Sequence, residues 1–284
     1  HGEMTVGLAI GAGNIHPLGT GMAPGAGLHL YHINNYPHIS GAAENFQQRG
    51  VVITSTSYGE GCGGVYTAAA RDLDMQALTL RHVLHIFSAG NSGLQACGIY
   101  GSLGYHYGAI YGNITGGRKA SKHSIAVGNL YFNDSLRINS SRGPLNDGIL
   151  KPELTAPGQG ILSIGPDNTY QLAGGTSAAA PSVAGLAALL YQSFRLSNGG
   201  DNPTFAHIKA LMMNTAEDLG RPGPDYEYGY GRPNGARALK AIQNQWFMQG
   251  SVAHQGINTH TVTVTPGTKQ LRLMGYWFDP EATP

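Results

Sequence analysis

Ser177 is the residue whose surroundings most clearly suggest chemistry. It follows a glycine pair, Gly174 and Gly175, and it begins an Ala-rich run that continues to about Gln192. A serine at the start of a helix lies where the helix dipole and the unpaired N–H groups favour negative charge. This environment would stabilise an alkoxide and the oxyanion that forms when it attacks a carbonyl group. The pattern therefore predicts a nucleophilic serine.

Two other interpretations of Ser177 compete with a nucleophile. Serine is a common N-cap residue, and a bare Gly-Thr-Ser before a helix is more often a cap than an active site. The nucleophile elbow of α/β-hydrolases needs Gly-x-Ser-x-Gly, whereas Ala179 stands two residues after this serine. The sequence thus argues against the elbow, while the capping role stays open at this point.

The longer run GTSAAAPSVAG, from Gly175 to Gly185, resembles the nucleophile signature of the subtilase family. In that signature Gly-Thr-Ser is followed by small residues and a proline. The resemblance covers about residues 1–243 and implies a subtilisin-like serine endopeptidase. Such an enzyme hydrolyses peptide bonds through an acyl-enzyme, here on Ser177.

The segment HIFSAGNSG, which ends at Gly93, resembles the strand and turn that present the oxyanion-hole asparagine in this family. The resemblance implies that Asn91, together with the backbone N–H of Ser177, binds the tetrahedral oxyanion. Taken alone, Asn91 would be interpreted as a turn residue, because asparagine tolerates left-handed backbone geometry.

A third segment, ITSTSYGEG, resembles the stretch that pairs with substrate backbone and forms one wall of the primary specificity pocket. This implies that Ser57, Tyr58 and Gly59 bind substrate, with Ala89 and Gly90 lining another wall. An extended substrate held in this way gains main-chain hydrogen bonds. The expected partner is therefore a peptide or a protein substrate.

The first residues, HGEMTVG, resemble the His-Gly-Thr-His-Val-Ala-Gly helix of the family. This implies that His1 is the general base, which takes the proton of Ser177 and passes it to the leaving amine. Glu3 and Met4 depart from the family pattern. An N-terminal histidine is also typical of a tag remnant or an ordinary surface residue.

The catalytic aspartate of the family precedes the histidine, and nothing precedes His1 in this sequence. Asp72, Asp74, Asp134 and Asp147 fall in helix or loop contexts, so we assign no catalytic aspartate. We expect an N-terminal segment or a second chain to supply it. A triad without its aspartate loses about 10⁴ in kcat. A catalytically impaired peptide-binding or scaffold protein therefore stays open, as does a subtilase-fold peptide ligase or cyclase.

The elements that must position these residues alternate along the chain. The predicted strands are Gly27–Ile33, Val51–Ser57, His82–Ala89 and Ser124–Leu130, and the predicted helices are Ser40–Arg49, Val65–Leu80, Ser177–Gln192, Pro203–Ala216 and Gly235–Ile242. Such alternation predicts an α/β fold with a mostly parallel, twisted sheet flanked by helices. Sites in sheets of this kind form at the carboxyl ends of the strands.

The sequence pattern changes after about residue 245, where the alternation of predicted strands and helices ends. We expect residues 1–244 to form a subtilisin-like peptidase domain that lacks its Asp-bearing N-terminal part. Residues 245–284 are predicted to begin an all-β sandwich, with β-rich runs at His260–Val264 and Gln270–Phe278. The run LMGYWFDPEA resembles the β-sandwich that follows the protease domain in some secreted bacterial subtilases.

Composition excludes several classes of partner. The net charge is +1 and no Lys/Arg run occurs, which argues against nucleic acid. No stretch reaches the ~18 apolar residues of a membrane helix, so we expect no membrane partner. Charged residues are only 12% of the chain. This composition and the resemblance together favour a secreted or extracytoplasmic protein.

Two cysteines, Cys62 and Cys97, each follow a segment that is expected to flank the pocket. We expect them to form a disulfide, which would imply an oxidising compartment. The alternative is a pair of free, buried cysteines.

Metal and cofactor requirements are not readable from single residues. The pairs His29 and His32, and His82 and His85, have i, i+3 spacing, which on a strand puts the two side chains on opposite faces. We therefore interpret them as buried or hydrogen-bonded side chains and leave the metal ligands unknown. The expected chemistry needs no cofactor. The resemblance allows calcium in a structural role, but no EF-hand-like run is present.

Overall fold

A computed structural model describes residues 1–32, 37–102 and 110–283. At its centre lies a parallel sheet with the strand order β1–β2–β3–β4. Its strands are β1 (Ile53–Thr56), β2 (Leu84–Ser88), β3 (Ile125–Leu130) and β4 (Leu154–Pro157), and a separate antiparallel pair consists of β5 (Gln159–Ile164) and β6 (Tyr170–Gly174). The predicted strands at 51–57, 82–89 and 124–130 are thus confirmed, each in a shortened form.

Helices cover both faces of the sheet. They are α1 (Gly2–Ile10), α2 (Pro37–Ser40), α3 (Ala42–Arg49), α4 (Ala68–Thr79), α5 (Gly98–Ser102), α6 (Thr176–Ser197), α7 (Phe205–Asn214) and α8 (Gly235–Gln243). The five predicted helices correspond to α2 with α3, α4, α6, α7 and α8. The predicted α/β fold, with a parallel sheet between helices, is confirmed.

The hydrophobic core lies between the sheet and α6. Every residue of β2 and β3 is buried, as expected for central strands covered on both faces. The long helix α6 crosses β1, β2, β3 and β4. Five of its twelve buried residues are alanine and one is glycine, and these small side chains let the helix approach the strands closely; the alanines are Ala178, Ala179, Ala180, Ala184 and Ala187.

The strand predicted at Gly27–Ile33 is wrong over its described part. Residues 27–32 form no strand, and Leu28 and Leu30 are exposed; Ile33 lies outside the described residues. An apolar run becomes a strand only where a neighbour completes its hydrogen-bond ladder. In the part of the chain that the structure describes, no strand pairs with the outer edge of β1.

Three strands were not predicted. β4, β5 and β6 lie in a stretch rich in Gly, Pro and polar residues, which hides the period-two pattern on which strand prediction depends. The helix α1, implied only by the family resemblance, forms as expected. Its Met4 and Leu8 are buried in a cluster with Ala173 and Ala178.

The predicted strands at 260–264 and 270–278 do not form. Residues 245–283 contain neither helix nor strand. Two strands without further partners are marginal in water, since three or more with a shared apolar face are needed for stability. The expected β-sandwich is therefore not seen, and the boundary near residue 245 stays a prediction.

The C-terminal segment (residues 270–283) nevertheless packs against the protein in extended form. Residues along this segment alternate between buried and exposed positions, as the predicted strand pattern would. Met274, Tyr276 and Phe278 pack on the core, while Leu273 and Trp277 are exposed. Both ring nitrogens of His123 are engaged, Nδ1 with the Tyr276 hydroxyl and Nε2 with the Asp279 carbonyl, each at 2.8 Å. Lys122 pairs with the Asp279 carboxylate at 2.5 Å.

No helix among the described residues combines the length and the apolar character needed to cross a membrane.

Candidate active site

A cavity of about 260 Å³ opens where the carboxyl ends of β1 and β2 face the N-terminus of α6. Sites in parallel α/β sheets form at this carboxyl-end edge of the strands. The lining residues are Ser57, Tyr58, Gly59, Ser88, Gly90, Asn91, Thr115, Thr176 and Ser177. Six of the eight predicted site residues are thus brought together. Of the other two, Ala89 is buried behind the wall and His1 does not line the cavity.

Ser177 is the second residue of α6 and is half-buried. Strand β6 ends at Gly174, and Gly175 is the N-cap residue with φ +92°. This left-handed backbone requires glycine, because a side chain there would be strained. In the first turn of a helix the N–H groups have no carbonyl four residues earlier to bind. The Ser177 N–H is therefore available to a substrate oxygen.

Pro181 changes the hydrogen bonding of the nucleophile's own backbone. Helix α6 begins at Thr176, which makes Pro181 its sixth residue. Proline has no N–H, so the carbonyl of Ser177 loses its helical donor. The hydroxyl of Ser57 donates to that carbonyl at 3.1 Å. Ser57 thereby joins the end of β1 to the first turn of α6.

Thr176 fixes the orientation of the Asn91 side chain. Its backbone N–H and its hydroxyl both donate to Asn91 Oδ1, at 3.0 and 3.2 Å, which leaves Nδ2 free to donate. The Thr176 hydroxyl also accepts the N–H of Gly90 at 3.2 Å. Gly90 has φ +119°, and a Cβ there would lie 2.5 Å from Thr115. The prediction did not include Thr176, although it is the middle residue of the Gly-Thr-Ser motif.

The floor of the cavity contains residues that the sequence did not reveal. Ser88 and Thr115 line it, and behind them lies the fully buried Lys119. The Lys119 ammonium group donates to the carbonyls of Tyr58 and Ser88 at 2.5 and 2.7 Å, and to Thr115 Oγ1 at 2.7 Å. Burial lowers the pKa of Lys119 to about 7, while nearby Glu60 opposes that shift. No sequence pattern in the Gly-rich loop signals this contact.

Tyr58 forms the aromatic wall of the cavity. Its ring packs edge-on against Phe87, with 6.3 Å between ring centroids. Burial is the main cause that raises the pKa of the Tyr58 phenol to about 12. The side chain is therefore neutral at physiological pH.

His1 precedes α1 as its N-cap residue and is exposed. Its backbone carbonyl accepts the N–H of Thr5 at 3.1 Å. Within the described residues the His1 ring forms no hydrogen bond with Ser177. Its role as general base therefore stays a prediction.

The aspartates named above occupy helix and loop positions, as expected. Asp74 is buried in α4 and accepts hydrogen bonds from Tyr66 at 2.7 Å and Ser121 at 2.5 Å. Asp134 pairs with Arg232 at 2.8 Å. These contacts are structural, and no catalytic aspartate is assigned.

Cys62 and Cys97 form a disulfide, with their Cα atoms 5.9 Å apart, so the expected bridge is confirmed. It joins the segment after Tyr58 to the segment after Asn91, the two walls of the cavity.

Histidine and carboxylate side chains do not assemble into a metal site. Across residues 1–32, 37–102 and 110–283, no group of three or more His, Cys, Asp or Glu side chains is placed to hold a metal ion. His85 is buried and hydrogen-bonds to Thr54 at 2.8 Å, and burial lowers its pKa to about 3. The His82 ring contacts the carbonyl of Pro203 at 2.9 Å. Both histidines are thus engaged by hydrogen bonds, and we derive no step through a metal.

Comparison with known proteins gives a consistent result. The profile of the subtilase family matches residues 1–231. Thermitase from Thermoactinomyces vulgaris is 29% identical over 236 residues, which cover 77% of this chain and 73% of thermitase. The PII-type proteinase of Lactococcus lactis subsp. cremoris is 40% identical over 89 residues, or 31% of this chain. The matched part spans only 4% of that proteinase.

Solved structures agree at the level of the fold. A lanthipeptide protease aligns with 85% of this chain and 75% of its own length, with a TM-score of 0.63 at 24% sequence identity. The site geometry described above lies entirely within the region that the family profile matches. The chain therefore belongs to the subtilase family, the serine proteases with the subtilisin-like α/β fold.

Proposed function

We propose that this protein is a serine endopeptidase that hydrolyses peptide bonds through an acyl-enzyme on Ser177. One observation carries the proposal. Ser177, Asn91 and the wall of Ser57, Tyr58 and Gly59 line a single cavity at the N-terminus of α6. A nucleophile, an amide donor and a wall for extended substrate are the groups that acyl transfer from a peptide requires.

In this proposal Ser177 Oγ attacks the scissile carbonyl carbon. The negative charge that develops on the carbonyl oxygen is stabilised by Asn91 Nδ2 and by the Ser177 N–H. The hydrogen bonds from Thr176 to Asn91 Oδ1 support this role, because they hold the amide with its N–H groups free. When the tetrahedral intermediate collapses, the C–N bond breaks and the leaving amine takes a proton. Water then hydrolyses the acyl-enzyme, which releases the carboxylic acid and restores the Ser177 hydroxyl.

His1 is the proposed base and then the acid. It would take the proton from Ser177 and return it to the amine. An N-terminal segment or a second chain is the proposed source of the aspartate that orients the imidazole. The unpaired outer edge of β1 in the described sheet supports this idea, since an additional strand has a place to bind there. Intact-mass measurement of active protein tests it: activity from residues 1–284 alone would contradict it.

We also propose a secreted or extracytoplasmic location and chemistry that needs no cofactor. The Cys62–Cys97 disulfide supports the location, because such bonds persist in oxidising compartments. Calcium, if bound, has a structural role only.

Labelling with a fluorophosphonate probe tests the proposal directly. We expect the intact protein to gain one probe on Ser177, and the variant Ser177→Ala to gain none. Ser251→Ala, which changes an exposed serine outside the cavity, is the matched control and should label like the wild type. Failure of folded wild-type protein to label would contradict the proposal. Product masses then separate hydrolysis, whose two fragments sum to the mass of the peptide plus one water, from ligation or cyclisation.

A catalytically impaired peptide-binding protein is the second candidate. It is favoured by the position of His1, which does not line the cavity and does not bond to Ser177 in the described structure. This candidate predicts that wild-type protein and Ser177→Ala bind a peptide equally and that neither reacts with the probe.

A further inference from the structure

Lys119 is a cation that the proposed mechanism does not use. It is fully buried, although lysine is almost never buried unless it is paired. Its three ammonium protons match its three acceptors, which are the carbonyls of Tyr58 and Ser88 and the hydroxyl of Thr115. All three of these residues line the cavity. The positive charge therefore lies immediately behind the cavity wall.

No carboxylate neutralises this charge by contact. In the described part of the chain Lys119 forms no ion pair. Glu60 is the acidic residue that affects the pKa of Lys119, but its carboxylate pairs with Arg118, at 3.8 Å, and not with Lys119. A charge in a poorly polarisable environment acts over a longer distance than it does in water. Its field therefore reaches the adjoining cavity.

The cavity itself presents no formal charge to oppose that field. Its nine lining residues are all serine, threonine, tyrosine, asparagine or glycine. A substrate side chain that enters the cavity meets hydroxyl and amide groups first and a buried ammonium group behind them. This arrangement lowers the free energy of a bound carboxylate and raises that of a bound ammonium or guanidinium group.

We propose that Lys119 makes this cavity select peptides with an acidic side chain, Glu or Asp, before the scissile bond. The inference rests on the proposed function of the cavity as the primary specificity pocket. It assigns Lys119 the role of a specificity-determining residue that acts through the wall.

The ionisable groups facing Lys119 agree with this role. Burial lowers the pKa of Lys119 to about 7, so the group is charged below neutrality. Glu60, whose carboxylate lies 3.8 Å from Arg118, favours the charged form of Lys119, and the Tyr58 phenol stays neutral. A bound carboxylate favours the ammonium form further, by reciprocal linkage. Selection of acidic side chains should therefore strengthen as the pH falls from 8 to 6, while Glu stays ionised.

Three matched peptides test the inference. They differ only in the residue before the scissile bond, which is Glu, Gln or Lys. At pH 6 we expect wild-type kcat/KM for Glu to exceed that for Gln by about tenfold, with Lys the poorest, as a full charge a few ångströms away implies. Lys119→Met should reduce the Glu-to-Gln ratio to about one. Lys122→Met removes a nearby charge that is paired with Asp279, and it should keep the wild-type ratio.

The ratio of the Kd values of the Gln and Glu peptides tests this inference independently of the proposed function. Fluorescence anisotropy with Ser177→Ala gives Kd for the Glu and Gln peptides without any turnover. A tenfold preference there supports the role of Lys119 even when no peptide is cleaved, whereas equal Kd values overturn it while leaving cleavage unaffected. A uniform loss across all three peptides in Lys119→Met would identify a merely structural lysine. Should Lys119→Met not fold, the wild-type ratio alone decides, since a value near one overturns the inference.

Discussion

Replacing Ser57 by alanine should destabilise the protein through the carbonyl group of Ser177. That carbonyl lacks a helical donor because Pro181 has no N–H, and Ser57 supplies the bond at 3.1 Å. The group is partly buried, so the lost bond should cost about 1 kcal/mol of unfolding free energy. For a chain of this size that corresponds to a fall of about 2–4 °C in Tm.

The explanation predicts a specific coupling with Pro181. In Pro181→Ala the restored N–H can donate to the Ser177 carbonyl, and Ser57 is then no longer its only donor. Adding Ser57→Ala to that variant should therefore leave its unfolding free energy almost unchanged. The double-mutant cycle should yield a coupling of about 1 kcal/mol, because contacts in one hydrogen-bond network are not additive. The packing lost with the proline ring cancels within the cycle.

Urea unfolding of the four proteins, followed by tryptophan fluorescence, measures the cycle. Ser251→Ala serves as a control for loss of an exposed hydroxyl and should leave the unfolding free energy unchanged. An equal cost of Ser57→Ala in both backgrounds would refute the reasoning, because it would mean that Ser57 does not compensate for the proline.

Three further predictions concern other parts of the site and the core. Asn91→Leu should lower kcat by about 10²–10³ with little change in KM, because it removes an oxyanion donor; steady-state kinetics measures this, and an unchanged kcat would contradict the assignment. The Cys62–Cys97 disulfide joins residues 35 positions apart, and reducing it should lower the unfolding free energy by about 4 kcal/mol. Calorimetry with and without reductant measures the resulting fall in Tm. Burial lowers the folded-state pKa of His85 to about 3, so the unfolded state binds the extra proton between pH 6.5 and 3. The contribution of His85 to the unfolding free energy is then fully present above pH 6.5 and falls by about 1.4 kcal/mol per pH unit below it. In His85→Gln the slope of unfolding free energy against pH should decrease by the amount due to one proton.

Sequence patterns predicted the elements whose stability is decided locally. β2 and β3 are short, mostly apolar runs and α6 is a long Ala-rich run, so both types of pattern are recognisable. The stretch at 27–32 has the composition of a strand but lacks a partner among the described residues. Strand formation depends on that partner, which one stretch of sequence does not report.

The site was predictable where a motif carries its function. Ser177 and Asn91 were found because Gly-Thr-Ser and Gly-Asn occur with specific neighbours. Lys119 was not, since two of its three acceptors, the carbonyls of Tyr58 and Ser88, belong to distant segments of the chain. The compensation between Ser57 and Pro181 was missed for the same reason, because Ser57 lies 120 residues from the carbonyl group to which it donates.

The C-terminal segment, residues 270–283, behaves as a ligand that is tethered to its own receptor. Its side chains Tyr276 and Phe278 and the two hydrogen bonds to His123 form the complex, and the exposed stretch before it is the linker. A flexible tether holds its ligand at an effective concentration in the millimolar range. Where this exceeds the dissociation constant a hundredfold, occupancy stabilises the folded state by about 2.7 kcal/mol. Cleaving the tether would make that stabilisation depend on concentration, so dilution alone would lower the melting temperature of the nicked protein.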